Sequence, residues 1–440
     1  MTPAEVDVRG WDAVDVVFVT GDAYVDHPSF AAAILGRWLE AAGWRVAIVA
    51  QPDWRTCDAW RTFGRPRVCF AVSAGNMDSM VNHYTANRKR RNDDAYSPSA
   101  VVGRRPDRAT LAYCQRAREA YPGVPVITGG IEASLRRLAH YDYWSDTVRR
   151  SIVMDAKPDL LVYGMGERTL AAIVRRLADG EPVEQLRDLR GVAYRLGASE
   201  MPPSEDSVVL PSFEEVAADD KLAFVEMTRL AHRETNPHCA RRLVQAHGRE
   251  TVVVNPPAMP LETEEMDAVY GLPFTREPHP SYAPATIPAW EMIKDSIQIV
   301  RGCFGGCTFC SLAAHQGRII QSRSAESVLA EIDRLSTGTK STARNPSRDR
   351  EGAVAAVDME IPLPHGRGSE SRFSGTISDL GGPTANMYRM GCSRPEVQRR
   401  CRRASCLHPT ICKLLRTDHG PLIRLLEAAR RQPGVRRVLM

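Results

Sequence analysis

The chain has 440 residues, 43% of them hydrophobic, and 58 Lys and Arg stand against 53 Asp and Glu for a formal charge of +5. That length suits two to three domains of roughly 100–200 residues with ordinary globular cores. So weak a net charge indicates no nucleic-acid partner: Arg88-Lys89-Arg90-Arg91 and the arginines of 389–403 read as solvated local patches.

Along the chain, the first twenty residues mix acidic and apolar types without a basic n-region, so no signal peptide is expected. No apolar run reaches the roughly 18 residues a membrane span needs. These features predict a cytoplasmic protein with no membrane partner. From 11 to 180, the short β-rich runs 14–19, 45–49, 68–72, 124–128 and 159–163 alternate with amphipathic stretches at 30–42, 109–120 and 168–179. Such alternation predicts a βαβ, doubly wound parallel sheet whose strands are covered on both faces. Gly21, Gly129, Gly130, Gly164 and Gly166 follow strands, at the carboxyl edge where open α/β sheets bind ligands.

Residues 181–289 are proline-rich and less regular, with a helix expected over 219–246, and read as a connector wrapping two domains. From 290 to 440 the order becomes strand, cysteine loop, helix 324–335, strand, helix 420–431, strand, the opening units of a (β/α) barrel. Residues 336–371 break that order with a Gly/Ser/Pro/Arg-rich stretch without periodicity, which reads as an insertion in a surface loop. Six βα units at ~30 residues each need about 180 residues. The segment from 290 without its insertion supplies about 115, so the barrel is expected to be partial and truncated.

Eleven cysteines are present, and seven crowd into 303–412, while Cys57, Cys69, Cys114 and Cys239 are scattered. That clustering favours metal ligation in a reducing compartment over a disulfide framework. Arg301-Gly-Cys-Phe-Gly-Gly-Cys-Thr-Phe-Cys310 spaces Cys303, Cys307 and Cys310 as C-x3-C-x2-C straight after a β-type run. Three thiolates on one glycine-bearing loop suit three irons of a [4Fe–4S] cluster and leave the fourth iron without a ligand from the loop. By spacing alone a zinc knuckle or redox thiols remain open.

The triplet, with Phe309 directly before its last cysteine, resembles the signature of the radical S-adenosylmethionine (SAM) enzymes. Tyr141-Asp-Tyr-Trp-Ser-Asp-Thr-Val-Arg-Arg150, Leu161-Val-Tyr-Gly-Met-Gly-Glu167, Ala314-His-Gln-Gly-Arg-Ile-Ile-Gln-Ser-Arg323 and Gly375-Thr-Ile-Ser-Asp-Leu-Gly-Gly-Pro-Thr-Ala-Asn-Met-Tyr388 are similar to the YgiQ-type subfamily. Most of 11–335 and 373–440 fits that subfamily. The resemblance implies a cobalamin-binding-like Rossmann domain ahead of a radical SAM barrel. It further implies iron ligation by Cys303, Cys307 and Cys310, Phe309 beside the SAM adenine, and Gly381-Gly382 against the SAM amino group. Reductive cleavage of SAM to a 5′-deoxyadenosyl radical would follow, fed by a reductant such as flavodoxin or ferredoxin and acting on an unknown substrate. Pro383 stands where the superfamily places an acid after the glycine pair, so Asp379 or backbone carbonyls would supply the acceptors; Arg323 and Gln298 are further polar candidates. Cobalamin itself is not expected, because Asp26-His27-Pro28 lacks the spacing of the cobalamin handle.

Cys392, Cys401, Cys406 and Cys412 form a second set, C-x8-C-x4-C-x5-C, which also occurs in the subfamily pattern. It has the count for an auxiliary Fe–S cluster or a structural zinc; four unligated thiols are the alternative. Three readings of the whole chain stand side by side: a radical SAM enzyme, an Fe–S or zinc module without SAM chemistry, and a truncated non-functional remnant.

Overall fold

The computed structural model describes residues 1–218, 221–337 and 373–440. Four strands open the chain: β1 (Val16–Thr20), β2 (Val46–Ala50), β3 (Cys69–Ser73) and β4 (Val126–Gly129). A short hairpin, β5 (His140–Asp142) with β6 (Thr147–Arg149), precedes β7 (Leu160–Val162). Then come β8 (Val192–Leu196), β9 (Ser207–Val209), β10 (Arg242–His247) and β11 (Glu250–Val254). All but the hairpin join one nine-stranded sheet in the order β2-β1-β3-β4-β7-β8-β11-β10-β9.

The first five of these are parallel, and helices Ala31–Ala41 and Ala109–Ala120 return the chain across the faces between them. Val17, Val19, Phe70 and Val126 pack on one face and Val16, Phe18, Ile48 and Ile127 on the other, and all are buried. A strand covered on both sides has no polar-facing register, hence the unbroken apolar runs.

Two expectations are corrected here. The sheet does not stop at 180: β8, β11 and β10 extend it antiparallel, and β9 adds one parallel strand, so the first half of the supposed connector is sheet. The helix expected over 219–246 ends at Arg233. Residues 242–247 become β10, because pairing with the Val252-Val253-Val254 run across the Gly248 turn (φ +65°) outweighs the helical character of Arg-Arg-Leu-Val. Residues after 254 do wrap: helix Thr263–Tyr270 and the loop at 274–278 lie between the sheet and the rest of the chain.

β12 (Ser296–Gln298), β13 (Val300–Arg301), β14 (Gln321–Ser322), β15 (Thr376–Ile377), β16 (Asp379–Gly381), β17 (Gly391–Cys392), β18 (Leu415–Arg416) and β19 (Arg437–Val438) complete the chain. β12 runs parallel to β16, and β15 parallel to β19, giving three adjacent parallel segments. Helices Ala325–Thr337 and Gly420–Arg430 cover them around Ile297, Val300, Ile332, Leu380 and Leu425. The insertion expected at 336–371 lies outside the described residues, except that Ser336 and Thr337 end the helix beginning at Ala325.

The strand order reverses between β1 and β3, a topological switch point where ligands commonly bind. Here the crevice is filled from within. Arg105 is fully buried, with Nη2 2.8 Å from Asp22 Oδ1 and 3.6 Å from Asp94, and Nη1 donating to the Ala74 carbonyl. His27 is also fully buried, its Nδ1 accepting the Ser29 N–H.

Candidate functional site

The cysteine loop starts from an anchored strand. Arg301 is fully buried; its Nη1 meets Glu167 Oε1 at 2.5 Å and its Nε donates to the Tyr270 hydroxyl at 3.0 Å. Glu167 opens the helix that follows β7, so the carboxyl edge of the large sheet holds the strand that launches the loop. β13 then pairs antiparallel with β14, which closes residues 302–320 at their base.

Within that loop the glycines are required by geometry. Gly302 has φ +88°, and a Cβ there would run into the Ile319 carbonyl; the Cys303 N–H donates to the Gly317 carbonyl at 3.0 Å. Gly306 has φ +63°, and a Cβ would stand 2.6 Å from the Ala404 carbonyl. At Gly305 a Cβ would lie 3.2 Å from Cys303 Sγ and 3.7 Å from Cys307 Sγ, so these two sulfurs flank one bare stretch of backbone. The Gly305 N–H points at Cys303 Sγ from 3.4 Å, and the Cys310 N–H donates to the Cys307 carbonyl. Burial pushes the Cys303 thiol up, and Cys310 and Cys307 beside it add to that. Cys307 is exposed and Cys310 half-buried.

Among the described residues, no three His, Cys, Asp or Glu side chains are gathered in metal-ligating geometry. The three thiols therefore share one loop without closing on a common centre. The donor set nonetheless fits an Fe–S cluster: soft sulfur ligands, a backbone N–H aimed at one of them, and glycines where a side chain would obstruct the cradle. Phe309 is 91% exposed, free of the core.

Gly381 and Gly382 lie at the carboxyl end of β16, beside the β12 strand that leads to the loop. Gly381 pairs with Gln298 in register, and the Ile299 N–H donates to its carbonyl. Gly382 has φ +109°, and a Cβ there would approach Gln298 Cγ at 3.5 Å and the Val300 carbonyl at 3.7 Å. Asp379 sits beside the pair: its carboxyl accepts the Gly382 N–H, and burial raises its pKa from the usual carboxylate value. Arg323 and Gln298 are engaged in packing contacts, although Gln298 also borders Gly382. Arg323 is fully buried against Glu331 and the Tyr270 ring, and Gln298 accepts the Tyr270 hydroxyl, so both belong to the packing behind the loop.

The second cysteine set docks on the first, which the sequence did not reveal. Ser405 Oγ donates to the Gly305 carbonyl at 2.5 Å, and the Cys406 N–H donates to the Phe304 carbonyl at 3.0 Å. Cys406 is raised by burial and has Arg318, Cys401 and Cys412 around it. Cys392 is held in the β17–β18 pair, its Sγ directed at the Arg394 carbonyl. Cys239, which the sequence left among the scattered thiols, lies with its Sγ 3.9 Å from the Cys401 carbonyl. Asn236 donates to the carbonyls of Gln398 and Cys401, and Arg402 meets Glu234 at 2.7 Å. The loop before β10 thus grips the second cysteine segment; the signal available in the sequence was only a thiol lying outside either motif.

Residues 1–296 match the family model described as Radical SAM N-terminal, which places the chain in the radical SAM class. A UPF0313 protein of Rhodopseudomonas palustris is 50% identical over 458 residues, covering 100% of this chain and 63% of that protein. The UPF0313 protein YgiQ is 46% identical over 493 residues in both Salmonella typhimurium and Escherichia coli K12, covering 100% of this chain and 64% and 62% of theirs. The chain belongs to the UPF0313 (YgiQ) family, and it spans less than two thirds of the length of these relatives. Solved structures of the radical SAM methyltransferase TsrM from Kitasatospora setae align with TM-score 0.38 at 18% and 16% identity, over 74% of this chain and 46% of theirs. Among the described residues no helix is long and apolar enough to cross a membrane.

Proposed function

We propose that the chain holds a [4Fe–4S] cluster through Cys303, Cys307 and Cys310 and binds SAM along the edge formed by Gly381, Gly382 and Asp379. The observation that carries this reading is the three-thiol loop, launched from buried Arg301 beside the bare Gly381-Gly382 edge. When bound, the cluster supplies an open iron for SAM and the electron that cleaves it to a 5′-deoxyadenosyl radical, which acts on an unidentified substrate. The chain's own residues do the positioning. Arg301, tied to Glu167 and Tyr270, fixes the start of the loop. Asp379, turned to the Gly382 N–H, offers the carboxylate that Pro383 cannot, as acceptor for an amino group. Phe309, fully in solvent, has its ring free to cover an adenine. A small electron carrier of the flavodoxin or ferredoxin type is the fitting reductant.

The test is electron paramagnetic resonance on anaerobically reconstituted, dithionite-reduced protein with and without SAM. A [4Fe–4S]⁺ signal that shifts on SAM addition is expected; a signal indifferent to SAM reduces the function to an Fe–S module.

Cys401, Cys406 and Cys412 make the core of a second thiolate site, with Cys392 or Cys239 as fourth donor. Cys307→Ala is expected to abolish the first cluster and spare metal at the second set. Measured iron and zinc in Cys392→Ala and Cys239→Ala then name the fourth ligand, and loss of all metal in Cys307→Ala would mean one shared site.

A further inference from the structure

Where the large sheet, the loop before β10 and the second half of the cysteine loop meet, they line a partly open cavity of about 70 Å³. Neither the cysteines nor Gly381-Gly382 line it, although residues 313–319 of the cysteine loop form one wall. Its walls are apolar at Met165, Met259 and Leu261, and its charged lining is unbalanced. Arg168 is neutralised by Glu265, and Arg241 shares buried Glu234 with Arg402. Arg137 and Arg318 have no carboxylate partner among the described residues. Arg137 lies 4.6 Å over the Tyr163 ring and donates Nη1 to the Ser134 carbonyl, while its Nε is buried without any partner. Arg318 stands against Cys406 and keeps a buried, unpartnered Nη1.

Both side chains are half-buried, and a guanidinium N–H that is itself buried without a partner is costly unless an anion meets it. Stacking on Tyr163 holds the Arg137 plane and presents its edge donors, the arrangement that recognises carboxylate and phosphate oxygens. We propose that this cavity is a binding site for the oxyanion group of a small organic anion, held by Arg137 and Arg318, with its apolar part against Met165 and Met259. Two chemistries share that head group, a carboxylate and a phosphate ester. The site lies behind the cysteine loop, one wall being residues 313–319, so its occupant would steady the loop from that side.

The test titrates the full chain with inorganic phosphate and, separately, malonate at constant ionic strength set with chloride, following the melting temperature and the heat of binding. A ligand that binds only the native state raises the midpoint in a saturable way. One of the two anions is expected to do so where chloride does not, and which one distinguishes phosphate from carboxylate. Arg137→Met keeps the packing on Tyr163 and removes the donors; it and Arg318→Met are each expected to weaken binding at least tenfold. Arg88→Met, at an exposed patch, leaves binding unchanged. No saturable response to either anion overturns the proposal, as does full binding retained in both Arg137→Met and Arg318→Met. Because the titration needs no cluster, its failure is distinguishable from failure of the radical SAM reading.

Discussion

Arg301 and Glu167 are the two residues on which the cysteine loop depends most directly, and neither has the chemistry of a ligand. Their side chains are 1% and 2% exposed and meet at 2.5 Å, with Tyr270 completing the hydrogen bonding. A pair this buried gains little over an apolar pair, but removing one partner strands the other charge. Arg301→Met alone, or Glu167→Leu alone, is expected to lower stability by about 3–5 kcal/mol. The double variant should recover much of that loss. A double-mutant cycle by urea denaturation measures it; additive losses would mean that the two residues act separately. The sequence marked Arg301 only as the residue opening the motif and Glu167 only as the end of a family match. Their partnership spans 134 positions, and no local pattern announces a contact of that separation.

At the scale of elements, what was legible and what was not divides along the same line. The runs expected at 14–19, 45–49 and 68–72 lie within one or two residues of β1, β2 and β3, because a strand buried on both faces writes its burial as consecutive apolar residues. β10 was unreadable because Arg242, Gln245 and His247 dilute its pattern, and its partner β11, not its composition, makes it a strand. Spacing singled out the two sets of cysteines as candidates, yet the docking of one cysteine segment on the other was not legible. It rests on Ser405, whose Oγ donates to the Gly305 carbonyl and accepts the Leu407 and His408 N–H groups. Ser405→Ala leaves those groups unmet and is expected to cost about 1–3 kcal/mol. Limited proteolysis should then cut the 302–320 loop faster. Gly306→Ala should be worse, since a Cβ meets the Ala404 carbonyl at 2.6 Å and the positive φ is strained. If Gly306→Ala loads iron as well as the parent and resists protease equally, the two cysteine segments do not depend on their contact.

Across the whole molecule, the pH response follows from histidines buried as neutral groups at the joints between layers. Burial lowers the pKa of His140, the first residue of the β5–β6 hairpin, to about 4. It lowers His247, stacked on Phe213, to about 4, and His315, whose Nδ1 meets Ser134 Oγ across the seam between sheet and cysteine loop, to about 4 as well. In the unfolded chain each titrates near 6.5. Between those values the unfolded state binds protons that the folded state refuses, so acidification favours unfolding. For these histidines the sign is fixed: their contribution is full above about pH 7 and falls as the pH drops through 6.5 toward 4. Each histidine contributes at most about 3 kcal/mol, since one pKa unit is worth about 1.4 kcal/mol. Urea midpoints measured at pH 7.5 and 5.5 should differ clearly, with the lower value at pH 5.5. The three positions separate by substitution. His315→Gln removes the titrating group but keeps a donor for the Ser134 hydroxyl, and it should flatten the dependence by its share while leaving the pH 7.5 midpoint nearly unchanged. A midpoint independent of pH in the parent protein would mean that these imidazoles reach solvent and that the seam between the sheet and the cysteine loop opens readily.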